Sequence, residues 1–181
     1  MILNSAFYPE FSRGEPNMTV AVFAAPFDPI HNGHLDVAVR AARLFDKLYI
    51  GIYDNPARSR FLFSTPERLK MALDATKNIP NIEVQTFTGM VAVYAHDIGA
   101  QTLVRALRMT SDFELEFEKA LMSKSLYPEL ELVCLMTGQE YQFLSSRMLK
   151  EVAHMGGDLS SMVPENVAKA LRQKVLEKKL N

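Results

Sequence analysis

Sixteen residues constrain this chain more than any others: Thr19 to His34, reading Thr-Val-Ala-Val-Phe-Ala-Ala-Pro-Phe-Asp-Pro-Ile-His-Asn-Gly-His. The opening, Thr19–Ala24, is an apolar run of strand length. Pro26 and Pro29 end it, because proline fixes φ and cannot donate to a sheet ladder. Asn32-Gly33 then marks a turn. From about His34, Leu35, Val37, Ala38, Ala41, Ala42 and Phe45 recur at helical spacing. A strand, a tight turn and a helix start leave free N–H groups and a positive dipole end beside the turn, an arrangement that takes phosphate. His31 and His34 stand at that place. An imidazole there can donate to an oxygen that gains charge during a reaction.

The remaining chain alternates. Strands are expected at Lys47–Tyr53, Ile82–Phe87, Thr102–Arg105 and Leu130–Met136. A capping box, Ser64 with Glu67, and Pro66 open a helix to about Lys77. Further helices are expected over Val91–Asp97, from Ser111 or Asp112 to about Leu126, from Ser145 or Ser146 to near Gly156-Gly157, and from Pro164 to about Lys179. This alternation predicts an α/β fold: a Rossmann-like parallel five-stranded sheet with helices on both faces. Ligands of such sheets lie off the carboxyl ends of the strands at the switch point, which is where the Ala25–His34 turn emerges.

Bulk properties exclude several classes. The chain has 181 residues, 48% of them hydrophobic and 23% charged, a soluble globular composition. A net charge of −1 offers no basic field for nucleic acid. No apolar run approaches the ~20 residues of a membrane helix. No basic and apolar leader opens the sequence, so a cytoplasmic address is expected. Cys134, the single cysteine, cannot form an internal disulfide and reads as a buried strand residue. No Cys/His cluster suggests a structural metal. Residues 1–17, with Phe7, Tyr8, Pro9 and Phe11, show no periodicity. They read as an N-terminal extension, either without function or with aromatics that pack on this or a neighbouring subunit.

His31-Asn32-Gly33-His34 resembles the (H/T)-x-G-H signature of the nucleotidyltransferase superfamily, and Leu144-Ser145-Ser146 is similar to its second signature, Ile-Ser-Ser. Lys150-Glu151-Val152-Ala153 and Pro164-Glu165-Asn166-Val167 narrow the resemblance to the bacterial phosphopantetheine adenylyltransferases, from about Met18 to Leu176. The resemblance implies one nucleotidyltransferase domain over residues 18–181. It also implies transfer of AMP from ATP to 4′-phosphopantetheine, giving dephospho-coenzyme A and pyrophosphate. The attacking phosphate is already an anion, so catalysis needs positioning and charge stabilisation rather than a general base.

By the same resemblance His34 stabilises the pentavalent phosphorus and His31 reaches an ATP phosphate. Arg105-Ala106-Leu107-Arg108 follows an apolar strand and is similar to the family's Arg-Gly-Leu-Arg. Its first arginine binds the acceptor phosphate there, and Ala106, Leu107 and Arg108 line the ATP site. His34, Arg105 and Arg108 are thus the expected catalytic set. Phe27, Glu116, Tyr141, Ser145, Ser146 and Arg147 match the ATP side; Pro26, Arg58 and Val91 match the acceptor side, with Arg60 a rival for Arg58. Mg²⁺ is implied with ATP, without a metal site of the chain's own. The resemblance further implies inhibition by coenzyme A and a homo-oligomer, a hexamer.

The departures cluster at the ligands. Ala25-Pro26-Phe27-Asp28-Pro29 stands where the family has Gly-Thr-Phe-Asp-Pro. Pro26 has neither hydroxyl nor N–H. One lost charge-assisted hydrogen bond is about 1.5–3 kcal/mol, or one to two decades in acceptor binding or rate. Ala25 and Ala106 add methyl groups where glycine lets backbone approach a ligand. Ser123 replaces a common Asn, and Arg147 replaces a third serine. These changes leave two other readings open: a different phosphate-monoester acceptor, or a catalytically weak protein that binds nucleotide or coenzyme A.

Overall fold

Each apolar run becomes a strand: β1 (Val20–Ala25), β2 (Lys47–Tyr53), β3 (Ile82–Phe87), β4 (Thr102–Leu107) and β5 (Glu131–Met136). They pair in parallel in the order β3-β2-β1-β4-β5. The helices are α1 (Asn32–Leu44), α2 (Thr65–Thr76), α3 (Val91–Asp97), α4 (Thr110–Leu126), α5 (Ser146–His154) and α6 (Glu165–Leu180), with a 3₁₀ turn at Gln139–Tyr141. The computed structural model describes residues 18–55 and 61–180. The extension 1–17, and the segment that carries Arg58 and Arg60, lie outside the described residues. The chain steps outward from β1 to β3 and then returns to β4. The switch point therefore falls between the carboxyl ends of β1 and β4.

The two faces of the sheet are covered unequally. Phe23 of β1 and Ile50 of β2 pack under Val37, Ala38 and Ala41 of α1, Met71 and Ala72 of α2, Leu149 of α5, and Val167 and Leu171 of α6. On the other face Val22, Ala24 and Leu103 cluster, among the described residues, with Ala92 and Ala95 of α3 and with Phe87, Ala100 and Leu130. Small residues on α1 and α3 let each helix lie close to the strands. No residue of α4 is buried. Among the described residues no helix is long and apolar enough to cross a membrane.

Several boundaries move for physical reasons. β1 begins at Val20 rather than Thr19: Thr19 N and Oγ1 donate to Asp46 Oδ2 at 2.7 and 2.8 Å, and only its O reaches β2, accepting from Lys47 N at 3.2 Å. α1 begins at Asn32, since His31 takes the N-cap and its Nδ1 accepts from His34 N at 3.3 Å. β4 runs two residues beyond the expected Arg105, carried by the pairs Ala106↔Leu135 and Leu107↔Met136. Ala106 and Leu107 thus lie within the strand rather than after it. α4 begins at Thr110, one or two residues early. Cys134 is half-buried rather than buried, because β5 is the sheet edge and α4 covers it loosely.

Candidate active site

The turn after β1 is held from three sides. Arg68 of α2, 1% exposed, donates from Nη1 to Pro26 O at 2.7 Å and Tyr53 O at 2.8 Å, and from Nη2 to Thr65 Oγ1 at 2.8 Å. Asp28 accepts from Leu62 N at 3.0 Å, Phe63 N at 2.9 Å and Lys150 Nζ at 2.8 Å. Ser146 Oγ donates to Pro29 O at 2.9 Å and brings the N-terminus of α5 onto the turn. These bonds hold Phe27 at φ +47°, a conformation that costs a bulky residue on the order of 1–3 kcal/mol. The turn is therefore over-determined by its surroundings, as strained functional turns are.

Around this turn the switch point opens as a cleft with two adjoining lobes. The first, about 330 Å³, is lined by His31, His34, Ala106, Arg108, Tyr141, Ser145 and Ser146 among others. The second, about 390 Å³, is lined by Pro26, Tyr53, Phe87, Val91 and Lys119 among others. Arg105 and Glu116 line both. The first lobe gathers phosphate-binding elements. The N-terminus of α1 and that of α5, capped by Ser145 Oγ accepting from Met148 N at 3.1 Å, both open there. Gly33 lets side chains close over the floor: a Cβ there would sit 3.2 Å from His31 Nδ1 and 3.3 Å from Tyr141 Cβ, a tight fit.

His31 and His34 stack with ring centroids 3.6 Å apart, and Phe27 meets His34 edge-on at 4.9 Å. Burial, with the Arg108 charge, pushes the His31 pKa down to about 3. Burial first, then His31 and Arg108, hold His34 well below its ordinary value. Both rings are therefore neutral near pH 7. A neutral imidazole still donates one N–H to an anionic oxygen. His34 Nδ1 is buried without a protein partner, and so is Thr137 Oγ1 on the same cleft wall. Each such orphan costs about 1–3 kcal/mol in the free chain.

The cations are pre-set. Arg108 Nε and Nη2 each lie 3.2 Å from an Asp112 oxygen, and Nη1 donates to Leu144 O at 3.0 Å. Arg105 Nη1 donates to Ala24 O at 2.9 Å. Arg105 Nε approaches Glu116 Oε2 to 2.9 Å, a close charge pair whose angle is not that of a hydrogen bond. Desolvation lowers the Arg105 pKa, but the group is a guanidinium and stays charged.

Other residues matched from the sequence lie elsewhere. Phe27 is buried beneath His34, and Leu107 is buried in β4; neither lines a lobe. Arg147 extends from α5 into solvent and pairs with Glu151 at 3.2 Å. The sequence reading missed Asp112, Thr137 and Lys119 as wall residues, and buried Asp28 with its partner Lys150, and Arg68, as supports. Two of these had a signal: Asp112 stands four residues after Arg108, in the first turn of α4, and Lys119 three residues after Glu116 on the same helix.

A parallel sheet with phosphate-binding turns at its switch point and two lobes sharing one arginine is the architecture of a nucleotidyltransferase. Residues 22–152 match the cytidylyltransferase-like family model. Named phosphopantetheine adenylyltransferases are the similar curated proteins. That of Thermomicrobium roseum is 50% identical over 156 residues, covering 85% of this chain and 93% of the relative. That of Caldanaerobacter subterraneus is 46% identical over 157 residues, covering 87% and 98%. A solved structure from Vibrio parahaemolyticus, named as a nicotinate-nucleotide adenylyltransferase, shares the fold with TM-score 0.65 at 15% identity, over 90% of this chain and 94% of that one. The chain belongs to the cytidylyltransferase-like family and, within it, to the phosphopantetheine adenylyltransferases.

Proposed function

We propose that this protein transfers AMP from ATP to 4′-phosphopantetheine, in coenzyme A biosynthesis. The observation that carries this reading is the meeting of two lobes at Arg105, beside His34. ATP occupies the lobe of the two histidines and the helix N-termini. The acceptor occupies the more apolar lobe, with its phosphate on Arg105 and its arm along Val91, Tyr53 and Phe87. An acceptor phosphate oxygen attacks the α-phosphorus. The bond to the bridging oxygen breaks, and pyrophosphate leaves with the electron pair. His34 and Arg108 donate to the oxygens that gather charge, and no general base is needed. This leaves Phe27, Leu107 and Arg147 with roles behind or outside the cleft.

Mg²⁺ bound with the triphosphate would supply charge neutralisation for the leaving pyrophosphate, with Asp112 and Glu116 the carboxylates of that lobe that would face it. The residues present fit that arrangement. Asp112 and Glu116 line the nucleotide lobe, and both are engaged by arginines. Among the described residues no group of three or more His, Cys, Asp or Glu could hold an ion by itself. Coenzyme A carries both an adenine nucleotide and the pantetheine arm, so it spans both lobes and inhibits. Self-association is supported by α4, which exposes Phe113, Phe117, Leu121 and Leu126; the hexamer of the family is the proposed state. A cytoplasmic location goes with this role.

The test is pyrophosphate release from ATP with 4′-phosphopantetheine and Mg²⁺, with dephospho-coenzyme A identified by mass, beside His34→Ala. Product from the wild type and its loss in the variant support the reading. Pro26 favours one rival, a different phosphate-monoester acceptor. A panel of phosphate monoesters with ATP and CTP decides: turnover of another monoester alone selects the rival. Ligand binding without turnover of any acceptor selects a binding protein.

A further inference from the structure

One side chain of the acceptor lobe acts on the site without being part of the phosphate-binding turns. Lys119 of α4 lines that lobe. Its Nζ donates to Glu116 Oε1 at 2.6 Å, one helical turn away. The other oxygen of the same carboxylate, Oε2, lies 2.9 Å from Arg105 Nε. Glu116 thus stands between two cations. It faces both lobes, and its side chain is only 16% exposed. A carboxylate in that place opposes any anionic ligand in either lobe. It also competes with an incoming phosphate for the guanidinium of Arg105. The Arg105–Glu116 contact is close but poorly angled, whereas the Lys119–Glu116 contact is a hydrogen bond. The carboxylate is therefore divided between its partners, with the better bond going to Lys119.

We propose that Lys119 is a positioning residue: by holding and neutralising Glu116, it keeps Arg105 available to the phosphate of the acceptor. The inference rests on the acceptor being a phosphate monoester bound at Arg105. Without Lys119, Glu116 turns fully to Arg105. The acceptor phosphate then meets a guanidinium that is already paired. ATP is less affected, because His34, Arg108 and the helix N-termini carry its phosphates.

The experiment combines a double-mutant cycle with binding. Lys119→Met, Lys119→Arg, Glu116→Gln and the Lys119→Met/Glu116→Gln pair are compared with the wild type. The readouts are KM for each substrate, kcat, and the calorimetric Kd of inorganic phosphate in the absence of nucleotide. Lys119→Met is expected to raise the acceptor KM and the phosphate Kd about fivefold, the size of a partly exposed charge pair. The KM for ATP stays within about twofold. Lys119→Arg restores the wild-type values, and Lys119→Met has no further effect once Glu116→Gln is present, because the two residues act through one path.

Three results overturn the proposal: an unchanged phosphate Kd in Lys119→Met, an equal loss for ATP, or a loss that persists in the Glu116→Gln background. The last would mean that Lys119 touches the acceptor itself. The readouts separate this inference from the enzymatic one. Phosphate binding that depends on Lys119 through Glu116, in a protein that makes no dephospho-coenzyme A, keeps the inference and overturns the activity. Normal turnover with an indifferent Lys119 does the reverse, and a wild type that neither binds phosphate nor turns over overturns both.

Discussion

The two lobes of the cleft share a wall but not a character. The nucleotide lobe is built from backbone and fixed polar groups: two helix N-termini, stacked histidines and an arginine held by Asp112 and Leu144 O. The acceptor lobe is built from Pro26, Val91, Tyr53 and Phe87 around one short chain of charges, Arg105–Glu116–Lys119. The first lobe is pre-organised for phosphate and resists change, since its parts also terminate helices and pin the turn after β1. The second has few polar contacts, so a single substitution there alters recognition without disturbing the fold. Pro26, where the resemblance leads one to expect a threonine, lines this lobe.

The comparison breaks most visibly at the shared wall. His34→Ala lowers kcat by about 10²–10³, as loss of a preorganised donor to developing charge does, while the melting temperature stays near that of the wild type. Steady-state kinetics with circular dichroism checks it. Arg105→Ala, which removes the forked donor common to both lobes, raises the acceptor KM by about 10² in the same assay. Pro26→Thr restores a hydroxyl in the acceptor lobe and lowers that KM by about tenfold; an unchanged value means the missing donor does not limit recognition.

Acid sharpens the contrast through stability. His31 titrates near 3 in the folded chain and near 6.5 when unfolded, so the unfolded state binds more protons between those values. Its contribution to stability is complete above about pH 6.5 and is lost as pH falls from there toward 3. The loss is up to about 1.4 kcal/mol per pH unit for this group. Urea unfolding at pH 7, 6 and 5 should show the decline, and His31→Asn should reduce it, with buried His34 supplying the remainder. The smallest effect on the site comes from α4: Phe117→Asp shifts the sedimentation of the protein toward smaller species and leaves ATP affinity unchanged.

Much of the scaffold was legible in the sequence. The parallel sheet follows from apolar runs alternating with helical periods, and β2, β3 and α3 end where their patterns end. The His31–His34 turn was legible because its letters fix backbone geometry as well as chemistry. Walls formed by long-range packing were not. Thr137 follows an edge strand and has no local pattern, and Arg68 is a helical arginine whose burial depends on the chain crossing above it. β4 outran its expected end because pairing with β5, not composition, sets its length. The acceptor lobe was hardest to read, since its residues come from β1 and the loop after it, the ends of β2 and β3, the start of α3, β4 and the face of α4.

The central claim is that the two substrates occupy separate lobes joined at Arg105. Calorimetric titration of ATP and, separately, of 4′-phosphopantetheine into Arg108→Ala tests it directly, because Arg108 lines only the nucleotide lobe. The account predicts an ATP Kd at least about tenfold weaker, with the acceptor Kd within about twofold of the wild type. Equal losses for both ligands, or a loss confined to the acceptor, would contradict it.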